Sequence, residues 1–225
     1  MCNLYSADLP HVEKYHRENR LLMFDVLIIG GGVAGISCAL VLGSARNKVF
    51  AADKKIGILT HQKASSLQDG IYNNVYGIAP GTTGAYLLSQ STAHLADMYP
   101  HVSQIPGEKV LKIEGSFPNF TVTTNKNTYS AANIVVAVGS SNSFAIEGLT
   151  QYIEPHQKAN PEKNRIQLRN HDHHVAKGIY VAGTLAGCRS QLSIAAGSGA
   201  SVATDILTEW NSGQHSQVHD STRNK

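Results

Sequence analysis

The chain is short of several things at once. No stretch of about 18 consecutive apolar residues occurs, so no membrane-spanning helix is expected. The N-terminus has no basic region followed by an apolar run and a small-residue cleavage site, so no secretory signal is expected either. The three cysteines, Cys2, Cys38 and Cys188, offer neither a C-x-x-C pair nor a metal-ligand spacing. A reduced, cytoplasmic setting is the simplest expectation. The net charge is only +3 and no basic block stands out, so nucleic acid is not indicated as a partner.

What is present is a core and a motif. Hydrophobic content of 42% over 225 residues is enough for one large domain or two small ones. The stretch Phe24–Gly35 reads FDVLIIGGGVAG. Its apolar run Val26–Ile29 predicts a buried strand. Gly30 to Gly35 then fits G-x-G-x-x-G, and small apolar residues from Ile36 to Val41 predict the opening of a helix. A second apolar run, Val49-Phe50-Ala51-Ala52, predicts the next strand, with Asp53 at its end, 18 residues after Gly35. Strand, glycine turn, helix, strand and acid together form a dinucleotide-binding fingerprint. In it, Gly30 permits the tight turn, Gly32 lets a pyrophosphate approach the backbone, and Gly35 lets helix and sheet pack closely. Val33 and Ala34 complete the loop, whose N–H groups and helix dipole favour phosphate. Asp53 is read either as a ribose acceptor or as a residue capping the strand. Lys54 and Lys55 either reach the adenosine and its phosphates or are solvated.

Beyond this unit, residues 54–80 form a long polar connection, and Ala85–Met98 has helical character. Val110–Ile113, Phe120–Thr123 and Thr128–Ser130 alternate as a small antiparallel meander does. Ile134–Gly139 and Gly178–Gly183 are two further strands ending in glycine. Gln151–Arg169 is polar and ambiguous. Gln191–Trp210 reads as a small-residue helix, with Gly197 and Gly199 where a backbone or a ligand approaches. Residues 1–22 read as an N-terminal extension, and 211–225 as a disordered tail. His171, Asp172, His173 and His174 cluster, but adjacent residues point apart, so a surface loop is expected and no metal site.

Taken in order, these motifs resemble the FAD domain of the thioredoxin-reductase-like pyridine nucleotide–disulfide oxidoreductases. The resemblance covers about 24–145 and 164–210 within a single domain of 23–210. It implies an α/β fold: a Rossmann-like FAD/NAD(P)-binding domain with a central parallel sheet, a small antiparallel β-meander and flanking helices. It also implies FAD as the cofactor and places further residues against it. Leu59 belongs to the segment Gly57–Thr60 beside the isoalloxazine, where Ile58 replaces a glutamine. Asn74 belongs to a second flavin-side segment, Asn74–Gly77. Val110 meets the adenine through its backbone, and Gly139 lies against the cofactor, next to Val138 in place of a threonine. Gly183 and Thr184 stand where the family has Gly-Asp, so a carboxylate is replaced by a hydroxyl. Gln191 starts a helix aimed at the flavin pyrimidine edge.

The departures define the functional expectation. Only residues 140–177 stand where the family inserts an NAD(P)H domain, and the redox C-x-x-C is absent. The reading is a small FAD flavoprotein, an oxidoreductase drawing on an external donor: a nicotinamide, a thiol or a redox protein. The alternative is a non-catalytic FAD- or NAD-binding module with a sensing or docking role. Cys188 is either a redox partner or a small residue in a packed loop. His61 is a candidate for proton transfer. Relatives pair through the FAD domain, which raises a homodimer as a further partner.

Overall fold

The computed structural model describes residues 23–61, 65 and 67–219. The extension expected over 1–22 lies outside them. The chain begins with β1 (Met23–Ile29), α1 (Val33–Ser44), β2 (Ile56–Thr60) and a two-stranded ribbon of β3 (Ile71–Tyr72) and β4 (Thr82–Thr83). It continues through α2 (Gly84–Met98), β5 (Ser103–Pro106), β6 (Val110–Ser116), β7 (Asn119–Thr124) and β8 (Thr128–Val136). A hairpin of β9 (Ile153–Pro155) and β10 (Ile166–Leu168) follows, then β11 (His174–Ala176), β12 (Ile179–Val181) and α3 (Leu192–Trp210).

The main sheet runs β11-β12-β8-β1-β2-β5, and β6, β7 and β8 form the antiparallel meander beside it. From β12 to β5 every neighbouring pair is parallel. This explains the uninterrupted apolar runs, because strands covered on both faces need no polar alternation. Val26, Leu27 and Ile28 are fully buried, and so are Ile134, Val135 and Val136. One core lies between the sheet and α1 and α3, gathering Val26, Ile28, Cys38, Leu42, Val202 and Ile206. The other lies under the meander and β10, gathering Leu27, Phe120, Val122, Tyr129, Ile134 and Leu168. The two helices meet at Gly199, where a Cβ would stand 1.9 Å from the Ala34 carbonyl oxygen.

Two sequence expectations are corrected. The run Val49–Ala52 is a turn, not the second strand: Ala51 N–H donates to the Lys48 carbonyl at 2.9 Å, and Val49 is 98% exposed. The second strand is β2, buried at all five positions and so able to sit between β1 and β5. Thr128–Ser130 and Ile134–Gly139, read as separate strands, fall largely in one nine-residue strand that ends at Val136. Asn133 had broken the apolar pattern; its side-chain amide donates to the Asp25 carbonyl inside the sheet. The stretch Gln151–Arg169 resolves into the β9–β10 hairpin. Of the tail expected over 211–225, Ser216 is buried and Val218 packs on the helix-side core, while 220–225 lie outside the described residues.

Candidate functional site

The register of the sheet levels four strand ends. Ile29 stands opposite both Leu59 and Val136, and Val136 opposite Val181. The chain therefore leaves β1, β2, β8 and β12 along one edge. The connections diverge there, since β2 lies on one side of β1 and β8 on the other. Such a switch point leaves a crevice outside the carboxyl ends of the strands. A cavity of about 770 Å³ occupies it.

Of the residues singled out in the sequence, Gly30, Gly32, Val33, Ala34, Leu59, Asn74, Val110, Gly139, Gly183, Thr184 and Gln191 all line this cavity, as do Cys188 and His61. Gly30 N–H donates to the Leu59 carbonyl at 2.9 Å; its φ of +118° and a Cβ position 2.4 Å from the Ala137 carbonyl oxygen leave no room for a side chain. Gly35 has a different task. A Cβ there would lie 1.8 Å from the Gly30 carbonyl oxygen, so it packs helix on turn and does not face the cavity. Gly32 is open: its nearest neighbour on the Cβ side is Ser65 Oγ at 3.9 Å. A ligand can therefore come up to the backbone at Gly32, at the head of α1, whose first turn carries no acid to compete with an anion.

Asp53 and Lys54 are not part of this site. Lys54 Nζ bonds Asp25 Oδ1 at 3.0 Å, and Lys55 N–H donates to Asp25 Oδ2 at 2.9 Å, which fixes the segment beside the beginning of β1. From Asp25 to Gly30 the strand rises about 16 Å at roughly 3.3 Å per residue. The error follows from the misplaced strand. At the true end of β2 stand Thr60 and His61, with no carboxylate before Asp69. For the same reason Gly57–Thr60 is β2 itself, and Ile58 is fully buried in the helix-side core and turned from the cavity.

The wall that follows β12 is well braced. Gly183 N–H donates to the buried Ser198 Oγ at 2.8 Å, and Gly187 N–H to the Thr184 carbonyl at 3.0 Å. Gln191 is the residue before α3, and its side chain makes no capping bond. Cys188 is half-buried in this wall. Cys38 is enclosed in α1, where burial pushes its thiol pKa well up; Cys2 lies outside the described residues. Of the histidine cluster, His173 Nδ1 meets the Val181 carbonyl at 3.0 Å and His174 packs on Tyr180, with ring centroids 4.7 Å apart.

Sequence reasoning missed Glu108 and a set of cations. Glu108 lies in the wall beside Val110, and its carboxylate accepts from Thr124 Oγ1 at 2.6 Å, Asn127 Nδ2 at 2.7 Å and Tyr129 Oη at 2.9 Å. Burial works to raise its pKa, but these three bonds and the charge of Lys126 outweigh that and hold it below the ordinary glutamate value. Lys109, Lys158, Lys163, Arg165 and Arg189 also line the cavity. The signal for the hairpin cations was present only as a polar stretch without period.

The family model of the pyridine nucleotide-disulphide oxidoreductases matches residues 24–184. Among solved structures, a thioredoxin reductase from Gloeobacter violaceus matches with a TM-score of 0.65 at 15% identity, over 89% of this chain and 98% of that one. An oxidoreductase from Agrobacterium tumefaciens matches with a TM-score of 0.62 at 13% identity, over 84% and 98%. A ferredoxin-flavin thioredoxin reductase from Clostridium acetobutylicum matches with a TM-score of 0.61 at 16% identity, over 84% and 99%. A search of curated proteins finds no match. The neighbours share the fold that the sheet register and glycine turn describe, and the match over 24–184 assigns the chain to the pyridine nucleotide-disulphide oxidoreductase family.

Proposed function

We propose that the protein is an FAD-dependent oxidoreductase that takes electrons from an external donor. The observation that carries this reading is the single cavity running from the glycine loop to Thr184 and Gln191, past Val110 on one wall and Gly139 on the other. It brings the glycine loop, Val110, Gly139, Thr184 and Gln191 to one crevice of about 770 Å³, which supports the reading of a bound dinucleotide. The residues present suit such a group. Gly32 and Gly139 carry no atom within ordinary contact of their Cβ positions on the cavity side, apart from Ser65 Oγ, so each offers bare backbone. The head of α1 favours a pyrophosphate there.

Within that site, Gly30 to Ala34 hold the phosphates and Val110 flanks the adenine. Thr184 supplies a neutral hydroxyl where a carboxylate is expected, which lowers repulsion towards the phosphates and gives up a charge-assisted bond. Gln191 and the start of α3 favour negative charge at the far end of the cavity. When bound, the flavin supplies hydride and electron chemistry, and the protein supplies position and electrostatics. The segment between β8 and β12 holds the β9–β10 hairpin, the short strand β11 and turns, too little for a second nucleotide domain of usual size. The sequence has no C-x-x-C, so thioredoxin reduction through a disulfide of that kind in this sequence is not supported.

The test is a visible spectrum of the purified protein followed by anaerobic addition of reduced nicotinamides. Flavin bands that bleach and return with oxygen support the oxidoreductase. A stable flavin spectrum that no nicotinamide, thiol or reduced redox protein bleaches assigns a binding role. A colourless protein that FAD does not reconstitute overturns the cofactor.

A further inference from the structure

Gly183 and Thr184 belong to a short connection, not to a strand. β12 ends at Val181, and a single turn, Gly183–Ala186, carries the chain on towards α3. Ala182, Gly183 and Thr184 line the cavity. On the sheet side Ala182 N–H donates to the Val136 carbonyl at 3.0 Å, and on the helix side Gly183 N–H donates to Ser198 Oγ at 2.8 Å. Those bonds hold the middle of the connection. Its two ends, Val181 and Ala186, are held from behind.

Both are held by the turn 170–174, which stands outside the cavity lining. His173 grips Val181 twice. Its carbonyl accepts from Val181 N–H at 2.9 Å, and its ring Nδ1 meets the Val181 carbonyl at 3.0 Å. A carbonyl oxygen only accepts, so Nδ1 carries the proton. Asn170 grips the other end. Its Nδ2 donates to the Ala186 carbonyl at 3.3 Å and to the Leu168 carbonyl at 2.7 Å, while its Oδ1 accepts from His173 N–H at 3.2 Å. Asn170 thus couples the grip on Ala186 to the grip on Val181, and through the fully buried Leu168 it anchors both to the meander-side core.

The backbone of the turn places the ring. His171 and His174 exchange backbone bonds of 2.9 Å in both directions, closing a two-residue turn in which Asp172 and His173 have φ of +47° and +69°. Glycine fills the second position of such a turn at no steric cost. A turn that only reverses the chain has no use for a ring there. His173 takes the left-handed backbone, and its half-buried ring reaches back to the last residue of β12.

We propose that His173, with Asn170 behind it, is a positioning residue of the cavity: from outside, it sets where Gly183 and Thr184 stand. That these two residues meet a flavin rests on the reading above, whereas the brace rests on its own bonds.

The experiment is amide hydrogen exchange, read residue by residue by NMR, together with FAD titration, on wild type, His173→Gly, His173→Asn, Asn170→Asp and Lys48→Glu as a remote control. His173→Gly keeps the turn and removes the ring. His173→Asn keeps a side chain that tolerates the left-handed backbone and offers an amide N–H in place of the Nδ1–H. Asn170→Asp keeps the acceptor for His173 N–H and removes the donor to Ala186. The proposal expects exchange at Gly183 and Gly187 to be about fivefold faster in His173→Gly and Asn170→Asp, with Ile28 and Val135 unchanged. His173→Asn and Lys48→Glu exchange as wild type. FAD binds the two opened variants about fivefold more weakly, and once Thr184→Ala has removed the contact, adding His173→Gly costs less than about twofold. Unchanged exchange, exchange that quickens throughout the sheet, or exchange as fast in His173→Asn as in His173→Gly overturns the proposal. An opened wall with unaltered FAD affinity, or full additivity with Thr184→Ala, overturns it too. If the protein takes up no flavin, the flavin reading fails by itself. Exchange then decides the brace alone: opening confined to Gly183 and Gly187 supports it, and any other pattern overturns it.

Discussion

At the scale of single residues the glycine fingerprint divides into two kinds of glycine, and stability separates them. Gly35 is held against the Gly30 carbonyl, so Gly35→Ala must move the turn or the helix. We expect a loss of about 3 kcal/mol or a failure to fold, read by urea denaturation. Gly32 faces open space, so Gly32→Val should fold with near wild-type stability and lose flavin about tenfold or more, read by the flavin-to-protein ratio. Asp53→Asn should leave flavin affinity within about twofold of wild type, because Asp53 stands at the other end of the sheet; a larger loss would return it to the site. His101 supplies a pH dependence. Burial lowers its pKa first, the Arg46 charge adds to this, and the Gly43 backbone offsets it only in part. Neither ring nitrogen makes a well-formed hydrogen bond. A depressed folded value means that the neutral ring is favoured on folding. The stability it contributes is complete above the ordinary imidazole value of about 6.5 and is lost as pH falls below it. The thermal midpoint should therefore drop on acidification through that range, and His101→Phe should flatten the drop.

Elements show why part of this site was legible in the sequence and part was not. β1, the end of β8, β12, α1 and α3 could be read because strands buried on both faces and a glycine turn leave contiguous signals. β2 was misread because Val49–Ala52 and Ile56–Thr60 are both short apolar runs. Only tertiary placement between β1 and β5 chooses the second, and the choice carries Asp53 out of the site and His61 into it. The hairpin cations had no periodic signal, since the connection that carries them is held by bonds such as Gln157 N–H to Gln167 Oε1 within the hairpin and Ile166 N–H to the Ser140 carbonyl. Glu108 was hidden for a related reason: its partners, Thr124, Asn127 and Tyr129, come from β7, the following turn and β8. It joins the start of β6 to the rest of the meander. Glu108→Ala leaves those donors without their acceptor and should cost about 2–3 kcal/mol. Because Glu108 and Val110 share the adenosine wall, flavin affinity should fall as well, whereas Glu114→Ala, with an exposed carboxylate, should change neither.

For the whole molecule, the cavity is the place where segments distant in sequence meet: the glycine loop, the start of β6, the end of β8, the hairpin and the head of α3. Each belongs to a different part of the fold, and backbone bonds such as Ala137 to Ile29 and Ala182 to Val136 level them. A ligand that spans the cavity adds contacts to all of these segments in the native state and to none in the unfolded chain, so its binding is also folding free energy. At 100 times its dissociation constant, FAD should add about 2.7 kcal/mol. For a chain of this length that raises the thermal midpoint by roughly 5–10 °C. The comparison with NAD+ at equal concentration is the informative one. A glycine loop that serves any dinucleotide would give equal shifts. A site whose far wall is built for a flavin, through Gly183, Thr184 and Gln191, gives a shift with FAD that NAD+ does not match. Thr184→Ala should then reduce the FAD shift and leave the apoprotein midpoint unchanged, because the Thr184 side chain faces the cavity while its backbone carbonyl keeps the bond from Gly187.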